Sequence, residues 1–171
     1  MYHYVTLATV DNDETQNTRR KNMLKIETIM KLDILEQRIG KAVLIDFLHT
    51  HLDRFRDTES AISKAIDYAF STDPGRGGYL IVALDDDKLV GAVVMNNTGM
   101  QEFIPEYYLI YIAVDAEQRG QGIGTKLLQK TFDTADGDIA LHVEYDNPAK
   151  RLYERLGFTT KYAEMRWQRS R

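Results

Sequence analysis

Residues 119–124, Arg119-Gly120-Gln121-Gly122-Ile123-Gly124, place three glycines and a cation in one short stretch. An extended apolar run, 107–114, leads into it, and a helix-forming segment, 125–135, leads out. A glycine-rich turn between a strand and a helix leaves several backbone N–H groups with no side chains in the way. Those donors and the positive end of the helix dipole suit a phosphate or pyrophosphate. Arg119 adds a cation at the rim. Two better-known glycine motifs fail on spacing. A dinucleotide fingerprint needs G-x-G-x-x-G, but the third glycine falls at Gly124 and Thr125 follows. A Walker loop ends in Gly-Lys-Ser/Thr, whereas Gly124 is followed by Thr125 and then Lys126. Glycines that merely make a tight turn are the alternative at this point.

The pattern that fits is R-x-x-G-x-G. A second stretch, 147–158, supplies Asn147, Ala149, Tyr153, Gly157 and Phe158 as N-x-A-x-x-x-Y-x-x-x-G-F. Local rules explain much of it: Asn147 is a favoured N-cap, Pro148 suits the first helical turn, and Gly157 is a left-handed C-terminal stop. A short amphipathic helix tying two strands together accounts for the rest, except the pairing of Asn147 with Tyr153. With both stretches in this order, separated by what one helix plus one strand requires, the chain resembles the GNAT superfamily of N-acetyltransferases. The resemblance covers roughly residues 79–166; residues 1–78 match only loosely.

The resemblance implies an α/β fold, the GNAT fold, with a mixed, mostly antiparallel central sheet flanked by helices. Its splayed parallel strand pair, here 107–114 and 139–145, forms the acyl-CoA cleft. It implies acetyl-CoA as cosubstrate, held by Arg119, Gly120, Gln121, Gly122, Ile123, Gly124 and Thr125. Backbone groups of Ile112, Ala113 and Val114 would pair with the pantetheine arm, and the N–H of Val114 or a neighbour would face the thioester carbonyl. A primary amine would attack directly in a ternary complex. Tyr153 is the candidate acid for the departing thiolate, since a phenol of pKa about 10 keeps its proton at neutral pH. Asn147 would orient the pantetheine or Tyr153. Among candidate bases Glu106 comes first, followed by Glu102, Glu144 and His142. A small-molecule amine is favoured over a protein because the loops are short for gripping a long peptide. A non-catalytic acyl-CoA-binding regulatory module and a protein-interaction domain are the rival functions.

Bulk properties agree with a single enzyme domain. The length of 171 residues suits one domain with a real core, and 43% hydrophobic and 28% charged residues are ordinary for a globular protein. A formal net charge of −4 with scattered Lys and Arg points to neither nucleic acid nor an anionic membrane. The chain has no cysteine, which excludes disulfides, thiolate metal sites and a cysteinyl acyl-enzyme. No acid or cysteine stands at ligand spacing from His49 or His51, so no metal is expected. No apolar run approaches a membrane span and no signal pattern opens the chain, so a cytoplasmic location is expected.

The elements that position these residues are read from periodicity. Residues 1–22 form an extension of unknown role, with a short strand over 2–10 and a polar stretch over 11–22, and 23–171 form one domain. Met23 begins an apolar run and is an alternative start. A strand is expected over 24–30. Leu44, Phe47, Leu48, Leu52 and Phe55 predict one helix, and Ile62, Ala65, Ile66, Ala69 and Phe70 a second, capped near Asp57. Segments 79–84 and 89–95 predict a hairpin with an acidic tip, and 107–114 the longest strand, covered on both faces. Strands over 139–145 and 159–167 complete the sheet. A homodimer is conceivable through 159–167 or the extension.

Overall fold

The computed structural model describes residues 24–169. The expected N-terminal extension, its short strand and the Met23 start lie outside the described residues. Strands β1 (Lys25–Ile29), β2 (Gly78–Asp85), β3 (Lys88–Asn97), β4 (Tyr107–Val114) and β5 (Ile139–Leu141) form one sheet in the order β1-β2-β3-β4-β5. The first four pair antiparallel, whereas β4 and β5 run parallel. The family-type sheet expected from the sequence is therefore present. In the β2–β3 hairpin, Asp86 and Asp87 both take positive φ (48° and 62°), the signature of a two-residue type I′ turn that matches strand twist.

Helices α1 (Leu32–Arg38), α2 (Lys41–His51) and α3 (Glu59–Ala69) bury Leu35, Leu44, Leu48, Ile62 and Ile66 with Leu80, Val82 and Val94 of the sheet. Helix α4 (Ile123–Thr134) covers the opposite face, where Ile123, Leu127 and Leu128 meet Ile81, Val93, Met95 and Leu109. The short helix α5 (Lys150–Arg155) adds Tyr153 to that second cluster.

Five expectations need correction, among them the strand expected over 139–145, which ends at Leu141. Helix α1 precedes the two helices foreseen; its seven residues bury only Leu35, too few apolar positions for a periodic signal. Thr58, not Asp57, caps α3 by accepting from the Ala61 N–H, and Asp57 instead accepts a 2.7 Å hydrogen bond from the Tyr111 hydroxyl. Strand β3, ten residues long, exceeds the eight of β4. Residues 159–167 form no strand and stay exposed, with Met165 93% and Trp167 81% accessible. Their β-forming composition finds no ladder, because β5 ends at Leu141.

The shortness of β5 has a visible cause. Val94 pairs with Tyr111 and Met95 with Leu109, leaving Ile110 as an extra residue on β4. Such a bulge bends the strand and re-aims the residues beyond it. Pairing with β5 stops at Leu109↔Leu141, immediately before the bulge. Past Ile110, β4 keeps β3 as its neighbour and, among the described residues, has no strand on the other side.

Candidate active site

A fork thus opens between residues 110–114 and the chain after Leu141. The N–H of Asp115 donates to the Val90 carbonyl on β3 at 2.9 Å. Alternation along an antiparallel strand then turns the Ala113 N–H toward β3, and the N–H groups of Ile112 and Val114 toward the open side. The Val114 carbonyl on that side accepts from Arg119 Nε at 3.2 Å.

At the head of the fork the chain makes a short 3-10 turn, Ala116–Gln118, and enters the glycine stretch. Gly120 and Gly122 adopt left-handed conformations (φ 79° and 80°), and a side chain at either would meet no heavy atom within 4 Å. Backbone freedom, not crowding, requires glycine there. Gly124 differs: its φ is ordinary, and an added Cβ would come within 3.1 Å of Leu152 Cδ2. Helix α4 has no side-chain N-cap. The first internal bond at its start runs from Lys126 N to Gly122 O. Among the described residues, none accepts from the N–H groups of Gly120, Gln121, Gly122, Ile123, Gly124 and Thr125. Six consecutive donors at the positive end of a helix dipole suit an anion. The donor set and the glycine clearance fit a diphosphate, and the unpaired edge of β4 fits an amide-rich arm.

Arg119 is exposed beside the turn and is also engaged by the protein. Its Nη2 donates to the His51 carbonyl at 2.6 Å and its Nε to Val114 O, so the guanidinium braces the turn against the end of α2.

Tyr153 belongs to the apolar cluster that borders the fork. It is 6% exposed, in the cluster that includes Ile123 and packs against Ile112, Val114, Leu141 and Val143. The spacing Tyr153, Gly157, Phe158 is a helix stop. Gly157 has φ 96°; its N–H donates to Glu154 O at 3.2 Å and that of Phe158 to Tyr153 O at 3.0 Å. The Tyr153 and Phe158 rings meet edge to face at 5.7 Å. This is a Schellman motif with its hydrophobic contact, and it locks Tyr153 in place. None of the described residues hydrogen-bonds the Tyr153 hydroxyl, whose oxygen is not sealed from the exterior. Burial pushes its pKa up to about 12. Asn147 Oδ1 accepts from the Ala149 N–H at 2.9 Å and its carbonyl from the Lys150 N–H at 3.0 Å, so Asn147 caps the turn that starts α5.

The structure does not bring Glu106 to this end of the strand. Glu106 precedes β4, at the paired end, where its carboxylate accepts a 2.8 Å hydrogen bond from the Asp138 N–H. That bond holds its carboxyl below the usual range. Glu102 lies in the same remote loop, and Glu144 lies on the surface beyond β5. His142 stands at the fork itself, directly after the last paired residue of β5. Its Nε2 is 3.5 Å from Glu164 Oε2, and its ring meets that of Tyr108 edge to face at 4.9 Å. Glu164 and the ring of Tyr108 are partners that sequence reasoning missed, since neither stands at motif spacing from His142. Among the described residues, no group of three or more His, Asp or Glu could hold a metal ion, and no helix is long and apolar enough to cross a membrane.

Comparison with known proteins agrees with this geometry. The profile of the Acetyltransferase (GNAT) family matches residues 44–158, more than half of the chain. N-alpha-acetyltransferase 30 of Schizosaccharomyces pombe is 39% identical over 85 residues, which are 47% of this chain and 57% of that protein. The human N-alpha-acetyltransferase 30 is 34% identical over 82 residues, 45% of this chain and 23% of that one. The match therefore spans little more than half of the yeast relative and less than a quarter of the human one. Among solved structures, a possible acetyltransferase from Clostridium difficile 630 superposes with a TM-score of 0.61 at 18% identity, covering 88% of this chain and 100% of its own. That likeness extends to the fold. The chain belongs to the acetyltransferase (GNAT) family.

Proposed function

We propose that the chain transfers an acetyl group from acetyl-CoA to a primary amine, and that the acceptor is the α-amine of a peptide N-terminus. The observation that carries the transfer is the row of six unpartnered N–H groups at the head of a fork whose wall contains Tyr153. Gly120 to Thr125 would take the diphosphate, and the open edge of β4 the pantetheine. The support for an α-amine is the similarity to two proteins named N-alpha-acetyltransferase. It outweighs the short loops that favour a small molecule.

The amine nitrogen attacks the thioester carbonyl carbon. The C–N bond forms, the C–S bond breaks, and one amine proton ends on the departing sulfur. The N–H of Ile112 or Val114 donates to the carbonyl oxygen as charge develops, a contribution of about 3 kcal/mol for a donor of this kind. A phenol held near 12 is a weaker acid than a thiol, whose pKa is about 8.5. Tyr153 therefore donates a hydrogen bond to the sulfur and gives up its proton only as the amine proton replaces it. Glu106 serves as a brace at the paired end. An amine that arrives as ammonium first gives its extra proton to His142, oriented by Glu164, so the base role passes to that residue.

A thiol-release assay with acetyl-CoA, run across short peptides with free N-termini and a panel of small amines, tests this reading. Release that requires a free peptide α-amine is expected. Release with small amines alone moves the acceptor class. Acetyl-CoA binding without release from any amine leaves a non-catalytic binding module.

A further inference from the structure

We propose that His51 is a positioning residue for the coenzyme site: through it the C-terminus of α2 sets the aim of the glycine turn. This rests on the acetyl-CoA reading above and concerns a residue that touches neither substrate.

His51 is the last residue of α2, and both ends of the turn after β4 are fastened to it. At the near end, the Ala116 N–H donates to His51 Nδ1 at 3.2 Å. At the far end, Arg119 Nη2 donates to the His51 carbonyl at 2.6 Å while its Nε holds Val114 O at 3.2 Å. A carbonyl in the last turn of a helix lacks an internal partner and sits at the negative end of the dipole, so a guanidinium suits it doubly. The imidazole is itself held, its ring 4.5 Å from that of Phe47 on the preceding turn. Between the two fastenings the 3-10 turn is closed by Asp115, whose Oδ1 accepts from the Glu117 N–H at 3.1 Å and whose carbonyl accepts from the Gln118 N–H at 2.9 Å.

The six free N–H groups begin at the residue after Arg119. Helix α4 itself aims those of Ile123 to Thr125, whereas the N–H groups of Gly120 to Gly122 have no acceptor among the described residues and take their direction from the anchored turn before them. His51 does for the loop what a rigid scaffold does for a binding site: small misplacement of a positioned group costs disproportionately. His49, two residues earlier and so on another face of α2, lies 3.9 Å from Glu59 and takes no part.

The test uses the full chain with His51→Ala and His51→Asn, whose Oδ1 can accept in place of Nδ1. Acetyl-CoA affinity is measured by calorimetry, kcat and KM by thiol release, and folding by thermal melting. For His51→Ala the Kd and KM for acetyl-CoA are expected to rise about tenfold, as for one lost hydrogen bond of this kind, with kcat at saturation nearly unchanged. His51→Asn should recover most of that loss. Unchanged affinity in His51→Ala, or an equal loss in a folded His51→Asn, overturns the inference. Should His51→Ala not fold, wild-type affinity in His51→Asn supports it and a tenfold loss there overturns it. Failure of the unaltered chain to bind acetyl-CoA overturns both this and the acetyl-transfer reading, whereas binding that ignores His51 overturns this one alone.

Discussion

The two ends of β4 are made of similar residues and behave in opposite ways. At the Tyr107 end the strand closes a set of hydrogen bonds with the turn before β5. The Tyr107 N–H donates to Asp138 O at 3.0 Å, its hydroxyl to Asp136 Oδ1 at 2.6 Å, and the Asp138 N–H to Glu106 Oε2. At the Val114 end the strand has lost its parallel neighbour, and six N–H groups beyond it have no acceptor among the described residues. The single extra residue at Ile110 divides the two. Buried or partly buried backbone donors are normally paired. Gly120 to Gly122 are instead exposed and Ile123 to Thr125 are first-turn donors of α4, so this end presents to solvent the donors that the proposed coenzyme site would use.

Substitutions at the open end should affect chemistry and binding, and those at the paired end only stability. The largest effect is expected from Tyr153→Phe, which should lower kcat about 10²-fold, the lower range for a positioned acid, while the Kd for acetyl-CoA stays near wild type. Calorimetry beside single-turnover rates checks this; equal loss in both would remove the acid role. Gly122→Asp should come next. It forces a side chain into a left-handed backbone and sets a carboxylate among the free donors, weakening acetyl-CoA binding about tenfold or more. An unchanged Kd would mean the diphosphate lies elsewhere.

Alkaline pH sharpens the contrast further. Burial raises the Tyr153 pKa from about 10 to about 12, so the folded chain prefers the protonated phenol more than the unfolded chain does. That contribution is whole below pH about 10 and is lost as pH climbs through about 12. Melting temperatures measured across this window should fall more steeply for wild type than for Tyr153→Phe; parallel curves would contradict the burial. The smallest effect is expected from Glu106→Ala, which frees the Asp138 N–H and should lower the melting temperature slightly with kcat within about twofold of wild type, far below the loss of a true base. A fall in kcat of the size expected for a base would return Glu106 to the chemistry.

The glycine turn and the 147–158 helix are legible because each obeys a local rule that residue identity alone states. Gly120 and Gly122 need left-handed backbone, and Tyr153, Gly157 and Phe158 write a Schellman stop. The bulge is not legible. In Tyr-Tyr-Leu-Ile-Tyr-Ile-Ala-Val every position is apolar or aromatic, so nothing marks Ile110 as the residue without a partner. The truncation of β5 comes from that bulge and is hidden with it. Nothing in the motif shows that the end of α2, remote in sequence, accepts a hydrogen bond from Arg119. Position before a central strand recommends Glu106 as a base, and only the parallel register shows that it stands at the closed end.

The most direct test is to track backbone amide resonances by NMR while CoA is added. The account predicts that the N–H signals of Gly120 to Thr125, with those of Ile112 and Val114, move most and gain protection from exchange, while Tyr107 to Leu109 and Ile139 to Leu141 stay in place. Unmoved amides at 120–125, or larger changes at the paired end, would contradict it.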